Sequence, residues 1–143
     1  MHPSGLETET IDGLRRLAQQ AAEHAYAPYS HFYVGATLLL ANGETATGCN
    51  VENASYGLTI CAERAALVQA IARFGPEIRL RAVFIVNRNQ TASPPCGACR
   101  QVLAEFALRG TDMATWVFFP SAHGEEAQPL NALLPFDFSL LRS

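Results

Sequence analysis

The sequence predicts an α/β fold in which a mixed five-stranded sheet lies between layers of helices. Three observations carry this expectation. Helical periodicity opens the chain, a hairpin signal follows it, and short apolar runs then alternate with Ala-rich helical segments. The resulting order is α, β, β, α, β, α, β with a fifth strand after it, which puts helices on both faces of the sheet in a three-layer α/β/α sandwich.

From about Glu7 to Tyr26 the residues Ile11, Leu14, Leu17, Ala18, Ala21, Ala22 and Ala25 recur at helical spacing, with Arg15, Arg16, Gln19, Gln20 and Glu23 opposite them. Pro28 is expected to end this helix. Phe32 to Ala41 and Glu44 to Val51 flank Asn42-Gly43, a pair that tolerates positive φ, and read as a β-hairpin. After a loop, Cys61 to Arg73 reads as a second helix stopped by Phe74-Gly75-Pro76. Leu80 to Asn87 is an apolar run suited to a strand covered on both faces. Pro94 and Pro95 lead into a third helix, Cys96 to Leu108, closed by Gly110. Met113 to Phe119 is another strand, Gly124-Glu125 a turn before a last short strand, and Leu130 to Leu134 opens the tail.

The chain's 143 residues fit one domain, expected to span residues 1–143. With 49% apolar and 16% charged residues it has the means to build a core. A net charge of -3 disfavours a groove that must neutralise several phosphates, so no nucleic acid is expected as a partner. Met1 to Asp12 lacks a basic start followed by an apolar run, and no stretch approaches the roughly 20 apolar residues of a membrane span. The expected location is cytoplasmic, with no membrane contact. In that reducing setting Cys49, Cys61, Cys96 and Cys99 point to metal binding or catalysis rather than to disulfides.

Two motifs stand at expected helix starts: Cys61-Ala62-Glu63 and Pro95-Cys96-Gly97-Ala98-Cys99. Cysteines three apart share one face of a helical turn, so Cys96 and Cys99 are placed to grip one ion, with Cys61 brought alongside from the other helix. Three thiolates fill three corners of a tetrahedron and leave the fourth open to water, as in a catalytic zinc site. Alone, Cys-x-x-Cys also serves redox chemistry or packing. Glu63 adds a carboxylate where a buried helix starts, fitting a general acid/base beside the ion. Its other reading is a carboxylate drawn to a helix N-terminus. Arg64, three residues after Cys61, is expected to reach the thiolates and offset their charge, or else to be a surface arginine.

Cys61-Ala62-Glu63 together with Pro95-Cys96-Gly97-Ala98-Cys99-Arg100-Gln101 resembles the cytidine deaminase family, in its small zinc-dependent nucleoside branch. Ala27-Pro28-Tyr29-Ser30-His31-Phe32-Tyr33-Val34-Gly35-Ala36, Gly48-Cys49-Asn50-Val51-Glu52-Asn53-Ala54-Ser55-Tyr56-Gly57 and Leu133-Leu134-Pro135 extend the likeness from about Ala25 to Phe138. The resemblance implies a cytidine deaminase-like sandwich, one zinc per subunit, and hydrolytic deamination of cytidine and deoxycytidine in pyrimidine salvage, with Glu63 moving the protons. It further implies that Asn50 and Glu52 bind the ribose hydroxyls, that Phe32 packs on the nucleoside, that Ala62 holds the base and that Tyr56 belongs to the substrate site. By themselves, Phe32 would read as core and Asn50 and Glu52 as turn residues. Cys49 reads as a small packing residue, and the role of Arg100 stays open.

The resemblance also implies a homotetramer whose sites are shared, with Phe138 stacking over the pyrimidine of an adjacent subunit. The apolar tail Leu133-Leu134-Pro135-Phe136-Asp137-Phe138 agrees, since its rings need burial, although a tail folded on its own domain would meet the same need. Two other functions remain at this stage: a deaminase of another aminopyrimidine nucleoside such as blasticidin S, and a non-catalytic zinc-stabilised binding module.

Overall fold

The computed structural model describes residues 1–110 and 112–141; Thr111, Arg142 and Ser143 lie outside them. Its elements are α1 (Thr8–Ala22), β1 (Val34–Leu40), β2 (Thr45–Cys49), α2 (Ala62–Phe74), β3 (Leu80–Asn87), α3 (Gly97–Ala104), β4 (Trp116–Ser121), β5 (Gly124–Pro129) and α4 (Leu130–Leu133), with a 3-10 turn at Tyr56–Leu58. The sheet order is β2-β1-β3-β4-β5. Of the strand pairs among the described residues, β3 and β4, joined through α3, run parallel, and the other neighbours are antiparallel. The mixed sheet expected from the element order is therefore present.

Strand alternation sorts the side chains into two cores. Ala36, Leu38 and Leu40 of β1 join Val83 and Ile85 of β3 on the face covered by α2 and α3, where Ala66, Leu67, Ala70 and Leu103 close the packing. On the other face, Ala82, Phe84 and Phe118 meet Ile11, Leu14 and Ala18 of α1. The Phe84 and Phe118 rings stack there at 5.2 Å. Thr37, fully buried on this face, donates its hydroxyl to the carbonyl of Leu14 at 3.0 Å, so its burial leaves no unpaired donor.

Two glycines set how closely the helices approach. A Cβ on Gly35 would stand 2.0 Å from the Ala18 carbonyl oxygen, and one on Gly48 would stand 2.4 Å from the Ala66 amide nitrogen. Backbone lies against backbone at both points, which fixes α1 and α2 on opposite faces of the hairpin.

Element ends depart from the expectations where long-range pairing competes with helix periodicity. α1 stops at Ala22 rather than Tyr26, because the Tyr26 amide donates to the Asn50 carbonyl and its own carbonyl accepts from the Glu52 amide. α3 stops at Ala104 rather than Leu108: the Phe106 carbonyl accepts from Leu80 and Ala107 bridges to that residue. β4 begins at Trp116, not Met113, and the following turn falls on Ala122 and His123, with Gly124 already in β5. Among the described residues no helix is long and apolar enough to cross a membrane.

Candidate active site

Sheet direction brings the site together. β1 is antiparallel to both β2 and β3, so its start lies beside their ends: Gly35 faces Cys49, and Val34 faces Asn87. Phe32 precedes β1, Asn50 and Glu52 follow β2, and the loop after β3 leads to Cys96. The N-termini of α2 and α3 open at this edge, outside the carboxyl ends of strands, where open α/β sheets place their ligands.

Cys61 caps α2 and Cys96 caps α3. Cys96 Sγ accepts the Cys99 amide at 3.4 Å, holding the Cys-x-x-Cys turn. The three sulfurs lie within 4.8 Å of one another. Sulfurs bound to one zinc at about 2.3 Å in a tetrahedron stand roughly 3.8 Å apart, so small rotamer changes suffice to close this cluster on an ion. Three thiolates would leave such a centre with a negative charge, and both helix N-termini offset it. So does Arg64, whose Nη2 is 3.5 Å from Cys61 Sγ and 3.4 Å from the Thr59 carbonyl oxygen. A hydrogen bond with Cys99, joined by the Arg64 guanidinium, brings the Cys61 thiol down to about 5 against the effect of burial. The same bond with Cys61, then burial and the Glu63 charge, push Cys99 up. A sulfur-only donor set suits zinc, whose binding would draw the thiols into their thiolate form, with the helix N-termini and Arg64 offsetting the added charge.

Glu63, second in α2, is 5% exposed. Burial pushes its carboxyl up to about 7, and the charge of Cys61 acts in the same direction. A carboxyl poised there exchanges protons readily at neutral pH.

A cavity of about 260 Å³ is lined by Cys61, Glu63 and Cys96 together with Asn50, Glu52, Phe32, Tyr56 and Ala62. Asn50 is bound at both polar ends: Oδ1 accepts from the Val34 amide at 2.9 Å, and Nδ2 donates to the Phe32 carbonyl at 2.7 Å. Glu52 Oε1 accepts from the amides of Tyr29 and Ser30, while Oε2 accepts the Ser30 hydroxyl. Burial opposes ionisation of Glu52, but these bonds prevail and hold its carboxyl below the usual carboxylate range. Neither side chain is exhausted, since Asn50 keeps one N–H and one lone pair and Glu52 keeps acceptor capacity.

The expected residues therefore converge, except Phe138, which lies on the tail, 67% exposed and outside this cavity. Sequence reasoning missed Ser30, the partner of Glu52, and Thr59, whose buried hydroxyl in the cavity wall has no hydrogen-bond partner. Ser30 lies within Ala27–Ala36, but its pairing with Glu52 spans 22 residues and leaves no local signal. Arg100 proves to serve the fold, donating from Nε to the Pro95 carbonyl and from Nη1 to that of Leu133. Cys49 is half-buried in β2 and takes no part in the sulfur cluster.

Two helix N-termini carrying three clustered sulfurs beside a buried carboxylate, on a mixed α/β/α sandwich, have the parts of a zinc-dependent hydrolytic site. Residues 8–115 match the family model described as the cytidine and deoxycytidylate deaminase zinc-binding region, and the chain belongs to that family. It is 52% identical over 94 residues to a cytidine deaminase of Halalkalibacterium halodurans, covering 66% of this chain and 70% of that one. Its fold matches the crystal structure of cytidine deaminase from Mycobacterium tuberculosis with a TM-score of 0.75 and 42% identity, covering 91% of this chain and 98% of that one. The corresponding values for the cytidine deaminase from Burkholderia pseudomallei are 0.75, 40%, 89% and 98%.

Proposed function

We infer that the chain catalyses zinc-dependent hydrolytic deamination of cytidine and deoxycytidine, releasing ammonia and leaving uridine or deoxyuridine. One relationship carries this reading: Glu63 is buried beside the clustered sulfurs in the wall of a cavity that Asn50 and Glu52 also line. Cys61, Cys96 and Cys99 would hold the zinc, which when bound would supply the Lewis acidity for activating water near neutral pH.

Glu63 takes the proton of the water that adds to C4 of the pyrimidine. It delivers that proton to N3, then takes the second one from the hydroxyl now on C4 and passes it to the departing amine, so that ammonia leaves and C4 keeps the oxygen as a carbonyl. Ala62, first in α2, has an N–H with no acceptor inside the helix, and with the Cys61 carbonyl we assign it to hold the base. Asn50 and Glu52 bind the sugar hydroxyls with the capacity left after they have shaped the loop. Hydroxyl recognition of this kind rejects ligands that lack the group better than an apolar pocket does. Phe32 and Tyr56 pack against the nucleoside.

The same reading makes the enzyme a homotetramer with shared sites. Phe136 and Phe138 present their rings to solvent in the single chain. Tyr26, Val51 and Ile60, joined by two β-bridges, are also exposed, beside the loop that carries Tyr56 and the exposed Leu58. Apolar surface gathered in this way marks a contact with another chain. All four cysteines are unpaired, which fits the cytoplasm.

The test is to add cytidine or deoxycytidine to the purified protein and follow loss of the substrate's absorbance and release of ammonia, with and without a chelator. Turnover with one zinc per subunit, lost on chelation, is expected. Zinc-loaded protein that released no ammonia from either nucleoside would overturn the reading.

A further inference from the structure

The tail that carries Phe138 is fastened to α3 and the segment after it. Arg100 donates to the Leu133 carbonyl, and Arg109 pairs with Asp137 at 3.0 Å while also donating to the Ala104 carbonyl at the end of that helix. The third tie differs from these. Gln101 commits both ends of its amide to the main chain of one residue: Nε2 donates to the Phe138 carbonyl at 2.8 Å, and Oε1 accepts from the Phe138 amide at 3.0 Å. A side chain here copies the paired bonds of a neighbouring strand and fixes the direction in which the Phe138 Cα–Cβ bond leaves the backbone.

The two bonds engage only the main chain of Phe138, and the residue stays 67% exposed. As a device for stabilising this subunit the clamp is poor, because paired hydrogen bonds near solvent return little for the cost of ordering the chain. As a device for presenting a ring it is apt. Gln101 also stands two residues beyond Cys99, so the helix that carries two of a subunit's own sulfurs holds the ring offered to a neighbour.

We propose that Gln101 is a positioning residue for substrate binding, holding Phe138 in the orientation in which its ring reaches the nucleoside in an adjacent subunit's site. This rests on the shared-site reading given above. Gln101 touches no substrate and acts only through Phe138.

The test compares Gln101→Leu, Gln101→Glu, Phe138→Ala and the Leu/Ala double variant as zinc-loaded enzymes, measuring kcat, KM for cytidine and zinc content. Gln101→Leu should raise KM about fivefold, the loss expected when an aromatic contact is misplaced, with kcat and zinc unchanged. Gln101→Glu keeps the acceptor for the Phe138 amide but sets a carboxylate oxygen against the Phe138 carbonyl, so its KM should rise at least as far as that of Gln101→Leu. The double variant should match Phe138→Ala alone, because a misplaced ring and a missing ring are the same loss. A raised KM for Phe138→Ala beside wild-type KM values for both Gln101 variants would overturn this inference and leave the shared site standing. Additive effects in the double variant would do the same, since Gln101 would then act elsewhere. A wild-type KM for Phe138→Ala would remove the shared-site reading and this inference with it.

Discussion

Arg64 Nη2 lies 3.5 Å from Cys61 Sγ, which sets a guanidinium against the sulfur that caps α2. Its Nε is buried without an acceptor, so the side chain is held here at a cost that an ordinary surface arginine would not meet. With an all-thiolate donor set, the compensating charge bears on both metal retention and turnover. Arg64→Gln is expected to lose zinc to a competing chelator about tenfold more readily, or to turn over more slowly by a similar factor. Wild-type zinc retention together with a wild-type rate would show that the contact is incidental.

Glu63→Gln fills the same space in the same buried position but cannot carry a proton. The variant should fold, keep its zinc and lose turnover by at least about a hundredfold. Metal analysis and circular dichroism check the first two outcomes and steady-state kinetics the third. Substantial residual rate would assign the proton transfers to another group.

Gly48 lies against the first turns of α2. Because a Cβ there would stand 2.4 Å from the Ala66 nitrogen and 2.7 Å from the Ala62 oxygen, Gly48→Ala must push the helix that carries Cys61 and Glu63 off the sheet. A loss of stability on the order of 3 kcal/mol is expected. Gly57→Ala is the control, since nothing lies within 4 Å of a Cβ at that position. Urea denaturation of the two variants compares them directly, and equal midpoints would mean that the helix shifts without cost.

Glu52 provides a pH dependence. Its carboxyl is held below the usual range by the bonds from Ser30 and Tyr29, so the stability it contributes is fully present above the ordinary value near ~4.3 and is lost as pH falls through the depressed folded value. Ser30→Ala removes one of those bonds and moves the folded value back up. The variant should be less stable at neutral pH, and the gap from the wild type should close as both are taken to acid. Parallel stability curves across that range would separate Ser30 from the ionisation of Glu52.

Local signals determined some of this structure and long-range ones the rest. β3 runs from Leu80 to Asn87 as read, because an apolar run bounded by charged and polar residues defines its own ends. The sulfur cluster was legible too, since ligand spacing at two helix starts is a local pattern. By contrast, the end of α3 depends on Leu80, some 26 residues earlier in the chain, which accepts no prediction from periodicity. The double engagement of Asn50 and Glu52 with the Phe32 and Ser30 segment is of the same kind. Sequence marks those two as polar residues after a strand, and only the fold shows that they shape the loop they are proposed to share with a ligand.

Phe138 tests whether the site is complete in one subunit. Its ring is largely exposed and its backbone is fixed by Gln101, while Phe136 and Leu140 beside it are also exposed. An apolar tail tethered in an open position gains its burial only from another molecule, and an isologous or cyclic arrangement would deliver each tail to a neighbour. Removing the ring should therefore act on binding rather than on chemistry. Phe138→Ala is expected to raise KM for cytidine through loss of stacking worth about 1 kcal/mol, with zinc content and the melting temperature of the isolated subunit unchanged. Dilution should act in the same direction: if the chain assembles as proposed, specific activity at low cytidine should fall as the proposed tetramer dissociates, and Phe138→Ala should blunt that dependence because its ring no longer contributes to either state. Sedimentation velocity run alongside kinetics at matched concentrations checks both points. A dissociated monomer that kept full specific activity would show that each subunit carries a complete site.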